Sequence, residues 1–318
     1  MKRKIFTAII ALLTGFSVTA QQQAQYTQYM FNKSYIDPSA TGLSRSLCVL
    51  GTARYQWMGV QDYSGHNVYP RTYQVAVESP LYSIRSGLGA SFEYDQAGFE
   101  TNMDFRVNYA YHFNIKKNHT ISLGVALEAL YKTINYAEFH TFDPGDPVLS
   151  ANSKESGLFP DIGFGLSYYL KDKFYISVSG MQLLSSSADI GGGKYQRVRH
   201  YYFMTGYNFL LKKTKTSEYV LMAGLLAKST LVSTQAELDL ILKINDRYWA
   251  GGMYRWNDAA GIIAGVKIAN VSIGVSYDFT LSKLSKAGSI GSPEILIRYC
   301  LPVSPKIKMK GYYNPRYM

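Results

Sequence analysis

The stretch Ser272 to Leu281 reads Ser-Ile-Gly-Val-Ser-Tyr-Asp-Phe-Thr-Leu. Ile273, Val275, Tyr277, Phe279 and Leu281 alternate with Ser272, Gly274, Ser276, Asp278 and Thr280. A period of two produces two unlike faces only in an extended strand. The apolar face ends in aromatics while the other carries Gly, Ser and a carboxylate, the distribution expected with hydrocarbon outside and water inside. The dyad continues on both sides: Ile262, Ala264, Val266 and Ile268 oppose Gly261, Gly265 and Lys267, and Ile295, Ile297 and Tyr299 oppose Glu294 and Arg298. Three adjacent amphipathic strands joined by short polar turns predict the closing edge of a transmembrane β-barrel.

Working back from that edge, the same alternation recurs along the chain. Leu47 to Trp57 is the first predicted strand, followed by Arg71 to Glu78, Gly87 to Tyr94 and Asp104 to Phe113. After a Lys116-Lys117-Asn118 turn, Ile121, Leu123, Val125, Leu127 and Tyr131 face away from Ser122, Gly124 and Glu128. Two stretches break the rhythm and read as long loops, Thr133 to Leu158 and the Gly-rich Leu184 to Gln196. In outer-membrane barrels long loops are extracellular and the opposite turns short. The fold class is therefore all-β, an antiparallel transmembrane barrel of about 14 strands, each of about the 9–11 residues that a tilted span needs. An even count puts both ends of the barrel on one side, expected to be periplasmic.

Composition agrees with that reading. The 318 residues include 28 Tyr, more than a soluble core uses and in keeping with aromatic girdles at membrane interfaces. Past the first twenty residues no apolar run reaches the roughly 18 residues of a helical span. Those first residues form a secretory signal: Lys2, Arg3 and Lys4, an apolar stretch from Ile5 to Val18, and small residues through Ala20 before Gln21. The predicted organisation is a signal peptide over 1–20, an N-terminal periplasmic or plug segment over 21–45, the barrel over 46–300 and a tail over 301–318. An exported strand protein with no other anchor points to the outer membrane.

The net charge of +11 falls to +8 without Lys2, Arg3 and Lys4. These charges are scattered singly and no basic aromatic motif accompanies them, so nucleic acid is not an expected partner. Residues 21–45 contain Tyr26, Tyr29, Met30 and Phe31, too apolar for a free tail. They are expected to fold back, either into the lumen as a plug or against the periplasmic rim. Past Tyr299, Pro302 and Pro305 end strand pairing, and Lys306, Lys308, Lys310 and Arg316 alternate with Tyr312, Tyr313 and Tyr317 without an acid. That tail is either a disordered basic terminus or a periplasmic docking peptide for an acidic partner.

Cys48 and Cys300 lie near the start of the first strand and the end of the last. In a closed barrel these strands are antiparallel neighbours, which would bring both sulfurs to the periplasmic rim on the lumen side. The two readings are a disulfide across the seam and a pair of free, half-buried thiols.

Five spaced blocks carry a family resemblance: Gln28-Tyr-Met-Phe-Asn32 followed by Ile36-Asp-Pro-Ser-Ala-Thr-Gly42, Arg54 to Gly59, Tyr254 to Val266, Tyr277-Asp-Phe-Thr-Leu281, and Gly291-Ser-Pro-Glu294. In this order they resemble the PorP/SprF family of Bacteroidetes outer-membrane proteins, over nearly all of the chain after the signal. The resemblance implies a component of the type IX secretion system, associated with its periplasmic ring proteins or lipoproteins, or with secretion of surface adhesins used in gliding. Members resemble structural or adaptor barrels, and they offer no catalytic residue to carry over.

The remaining chemistry is sparse. His66, His112, His119, His140 and His200 stand singly, without a metal-binding spacing. No nucleophile elbow occurs, and Asp143 and Asp146 sit in a Pro-Gly turn that reads as a turn before it reads as a calcium site. No catalytic residue, metal ligand or cofactor site is therefore predicted. Glu93, Arg106, Glu128, Glu237, Asp239, Lys243, Arg255, Asp278 and Arg298 are expected to pair across the interior, or else to line a polar path for a solute. An anchoring barrel joined to a secretion complex is favoured over a pore or transporter for a small or hydrophobic solute.

Overall fold

A computed structural model describes residues 23–62, 65–136, 154–191 and 193–303. The strands run β1 (Ser46–Tyr55), β2 (Arg71–Leu81), β3 (Ser86–Ala97), β4 (Glu100–Lys116), β5 (His119–Asn135), β6 (Lys154–Leu170) and β7 (Phe174–Met181). A small pair follows, β8 (Ser187–Ile190) and β9 (Gly193–Gln196), then β10 (His200–Lys213), β11 (Glu218–Ser229), β12 (Thr234–Ile244) and β13 (Tyr248–Arg255). β14 (Ala259–Ile268), β15 (Val271–Thr280) and β16 (Ser292–Pro302) complete the strands among the described residues. All except β8 and β9 join one closed antiparallel barrel of 14 strands, with β16 returning to pair with β1.

β15 shows why these residues form such strands. Ile273, Val275 and Phe279 point outward and stay exposed, while Ser276 and Asp278 point inward and are buried. That is the inverse of a water-soluble sheet, and only lipid around the barrel makes it favourable. Outward Val75, Leu88, Phe105, Val125, Leu127, Phe164 and Ile262 continue the apolar band around the wall. The chain is a closed transmembrane β-barrel.

Several elements depart from the expected lengths. β1 stops at Tyr55 because Trp57 turns the chain with φ of 53°. β4, β5 and β6 have 17 residues each, and at about 3.3 Å per residue such strands reach well past the hydrocarbon layer. The interruption from Leu184 to Gln196, expected as loop, contains the β8–β9 hairpin. Ile190 holds it down by packing with Leu130 and Phe159. Of the long loop expected over Thr133 to Leu158, residues 137–153, with His140, Asp143 and Asp146, lie outside the described residues.

The two ends of the barrel differ. At the end holding Ser46 and Pro302, strands are joined by turns such as 117–118, 245–247 and 269–270; at the other, connections include 56–70, 182–199 and 281–291. Asn245 and Asp246, at φ of 55° and 50°, close the β12–β13 turn in the left-handed region that Asn and Asp tolerate. Burial pushes Asp246 upward, but hydrogen bonds and charge from Lys243 and Lys267 outweigh it and hold the carboxyl below its ordinary range.

The seam between β1 and β16 runs from Ser46↔Pro302 to Arg54↔Glu294, with Cys48 directly opposite Cys300. Their Cα atoms are 4.1 Å apart and the structure records a disulfide between them, 252 residues apart in sequence. Closing so long a loop restricts the unfolded chain, an effect of about 2–4 kcal/mol for ordinary disulfides. Cys48→Ser is expected to lower the urea midpoint of the detergent-solubilised barrel accordingly. The wild type should also migrate faster on a denaturing gel without reductant than with it, and equal mobility would mean that the bond is not formed.

Candidate functional site

The barrel interior is occupied by the chain itself. Residues 23–42 contain no strand; the chain makes a 3₁₀ turn over Tyr29–Phe31, a single helical turn over Lys33–Ile36 and a second 3₁₀ turn over Pro38–Ala40. The last is capped by Asp37, whose Oδ1 accepts from Ser39 N at 2.9 Å, and Pro38 at its first position needs no N–H partner.

A buried segment without a ladder must find partners for its carbonyls elsewhere, and the wall supplies them. Asn108 donates to Ser34 O at 2.9 Å, Arg106 to Tyr35 O at 2.5 Å, Ser179 to Ile36 O at 2.8 Å and Ser122 to Ser39 O at 2.6 Å. The backbone also fits against wall glycines. A Cβ on Gly124 would overlap the backbone of Pro38 and Ser39, and one on Gly87 would overlap Thr41 and Gly42, the latter at φ of 77°. Gly124→Val is therefore expected to cost about 3 kcal/mol, the upper end of the overpacking range. Urea unfolding with Val125→Ala on the lipid face as control checks it; equal midpoints would mean the segment does not lie there.

Apolar side chains of the segment bury against an apolar part of the wall. Tyr26, Tyr29, Met30, Tyr35 and Ile36 form one cluster with Met181, Tyr202, Met204, Leu226, Ile241, Trp249, Met253 and Ile263. The interior of β10 to β14 is thus half apolar, where alternation alone would call for polar groups. Phe31 lies 5.1 Å from Trp249, and Tyr26 meets Tyr35 edge-on at 5.1 Å. The four residues singled out from the sequence, Tyr26, Tyr29, Met30 and Phe31, all take part in this packing.

Charged groups fasten the segment at two places. At the seam, Arg54 on β1 reaches Asp278 on β15 at 2.8 Å and Glu294 on β16 at 3.0 Å, and donates to Thr27 Oγ1 at 2.8 Å. Glu294 accepts the backbone N–H groups of Thr27 and Gln28 at 2.8 and 3.0 Å, and Thr27 Oγ1 donates to Asp278 at 2.7 Å. Arg255 extends the cluster to Glu237 at 2.7 Å and to Asp278 at 3.3 Å. Farther round the wall, on β4 and β5, Arg106 pairs with Glu128 at 2.6 Å and lies over the Tyr35 ring, and Arg197 reaches Asp104 and Glu128, each at 3.3 Å.

The expected interior pairing thus holds for Arg106, Glu128, Glu237, Arg255 and Asp278. Glu93 instead accepts tyrosine hydroxyls, from Tyr26 at 2.6 Å and Tyr35 at 3.3 Å. Asp239 faces Tyr29 O–H at 3.5 Å. Lys243 turns to Asp246 and Arg298 to Glu78, near the end of the barrel that holds Ser46. Neither Thr27 nor Arg197 stands out in the sequence, and Gln28 does so only as the first residue of a family block. Arg197 lies between β9 and β10, where no periodicity exists to place it.

Among the described residues, no group of three or more His, Cys, Asp or Glu is placed to hold a metal ion. His112 meets Ser122, His119 meets Tyr168 and His200 meets Gln182. Lys306, Lys308, Lys310, Tyr312, Tyr313, Arg316 and Tyr317 lie outside the described residues.

A family model described as "Type IX secretion system membrane protein PorP/SprF" matches residues 18–299. No curated protein matches the chain. Among solved structures, the outer-membrane protein Omp33 of Acinetobacter baumannii is similar at 10% identity and a TM-score of 0.46, over 80% of this chain and 98% of that one. The toluene transporter TodX of P. putida gives 7% and 0.45, over 82% and 90%, and the KdgM porin 10% and 0.38, over 79% and 98%. At these values the likeness carries nothing about what the chain does.

Proposed function

Because the chain belongs to the PorP/SprF family of type IX secretion system membrane proteins, we propose that it serves that machine as a closed anchoring barrel rather than as a passage. Its substrate-side role is interaction: it holds periplasmic ring proteins or lipoproteins to the outer membrane while cell-surface proteins such as gliding adhesins are secreted. The observation that supports this reading is the occupied lumen, in which residues 23–42 pack on the inner wall and are tied to β1, β15 and β16 through Arg54, Asp278 and Glu294. A barrel so filled offers partners its two end faces and its lipid-facing wall.

Residues 301–318, with Lys306, Lys308, Lys310 and Arg316 among Tyr312, Tyr313 and Tyr317, supply a basic, aromatic peptide for an acidic periplasmic surface. Affinity capture from outer membranes, with the full chain and with a chain lacking 301–318, tests this. The shortened chain is expected to insert normally and to lose its periplasmic partners. Recovery of the same partners at the same yield would remove the docking role of the tail and leave the barrel itself as the contact.

A further inference from the structure

The direction in which residues 23–42 run through the lumen is fixed by contacts along their length. Tyr202 donates to Gln23, Lys228 donates to Gln25 Oε1 at 3.0 Å, and Gln25 Nε2 donates to Gln235 at 3.1 Å. Lys228 is next to last on β11 and Gln235 second on β12, so both sit beside the 230–233 connection, at the end of the barrel remote from Ser46. Midway, Tyr29 faces Asp239 and Ser34 O accepts from Asn108. At the other limit, Ser39 Oγ bonds Ser167 at 2.6 Å and Gly42 lies against Pro80 and Gly87, where β2 ends and β3 begins. That end is also where β1 starts and β16 finishes.

In place of both chain ends on the periplasmic side, we infer that the chain enters the barrel through its outer mouth. The polypeptide before β1 threads the lumen, so that Gln23 lies at the mouth opposite the end where β16 finishes. The mouth it enters carries the 56–70, 182–199 and 281–291 connections, whereas the other end carries tight turns. Long connections face outward in such barrels. This assignment of sides rests on the outer-membrane reading; the threading itself rests only on the contacts above.

A segment attached to β1 at the inner end, with Gln23 at the outer mouth, cannot be withdrawn by a periplasmic protein grasping the residues before it. A partner acting on that end must act from outside, where Gln23, Gln25, Tyr202, Lys228 and Gln235 form an amide-rich rim. The seam strands must also close around the segment, because Glu294 on β16 and Arg54 on β1 meet each other and Thr27 together.

Cysteine accessibility in intact cells tests the inference. Gln23→Cys, Leu231→Cys in the 230–233 connection and Lys117→Cys in the β4–β5 turn are each treated with a membrane-impermeant maleimide, before and after permeabilising the outer membrane. Gln23→Cys is expected to label in intact cells as Leu231→Cys does, with Lys117→Cys labelling only after permeabilisation. Gln23→Cys behaving as Lys117→Cys does, or labelling only after unfolding, would overturn it. Lys117→Cys and Leu231→Cys exchanging roles would overturn the assignment of sides, and with it the outer-membrane orientation. Threading is read separately in the purified barrel: Gln25→Cys with Gln235→Cys is expected to cross-link under mild oxidation, and failure to do so would overturn the path through the lumen.

Discussion

Replacing Arg54 by leucine is expected to destabilise the barrel by about 3–5 kcal/mol, the range for removing one partner of a buried ion pair. Arg54 is 1% exposed and serves two carboxylates and the Thr27 hydroxyl at once. After the substitution Asp278 retains Arg255 at 3.3 Å, but Glu294 keeps only the backbone N–H groups of Thr27 and Gln28. An uncompensated carboxylate then lies on the strand that closes the seam. The urea midpoint in detergent, followed by heat-modifiable mobility, reads the loss. The double variant Arg54→Leu with Glu294→Leu should recover part of it, because replacing both partners by apolar groups removes the stranded charge. An unchanged midpoint in Arg54→Leu would mean that the cluster does not hold the seam.

Removing residues 23–42 is expected to have the largest effect of all. Tyr26, Tyr29, Met30, Tyr35 and Ile36 lose their burial, each at about 1.5–3 kcal/mol, and Met204, Leu226, Ile241 and Trp249 are left facing water. The lumen should then fill and conduct ions, and the barrel should unfold at lower urea. A synthetic peptide of residues 23–42 added to the refolded variant should reduce its conductance, which separates an emptied lumen from a misassembled wall. A variant as silent and as stable as the full chain would show that the segment contributes neither closure nor stability.

The strands were legible where one face meets lipid. The alternation over Ser272 to Leu281 assigns the two faces as β15 has them, with bounds that differ by one residue at each end, and the seam pairing of Cys48 with Cys300 follows from closure of an even number of strands. Alternation faded where the interior is not watery. On β11, Leu226 points inward into the cluster that includes Tyr26 and Tyr29, so both faces are apolar and the period of two carries little information. The β8–β9 hairpin was hidden because four-residue strands around glycines give no periodic signal, and its anchors, Ile190 and Tyr195, find Leu130 and Phe159 only in three dimensions.

The lumenal segment was legible in part. Tyr26, Tyr29, Met30 and Phe31 betray a need for burial, but a plug and a rim contact satisfy that need equally. Thr27 and Gln28 look like ordinary polar residues until Glu294 and Asp278, more than 250 positions later, are brought beside Thr27. The direction of threading has no trace in the sequence at all, since it is set by which of many wall residues each side chain meets. Local patterns report the solvent on each side of a strand, and long-range pairings such as Gln25 with Gln235 are settled only by the closed barrel.

We propose that residues 23–42 close the lumen of this barrel. Ion conductance of the purified, full-length processed protein in planar bilayers measures this directly. Insertion without sustained conductance at moderate voltage is expected, and steady current once residues 23–42 are removed. Steady open-channel current from the intact protein, unchanged by that deletion, would contradict it.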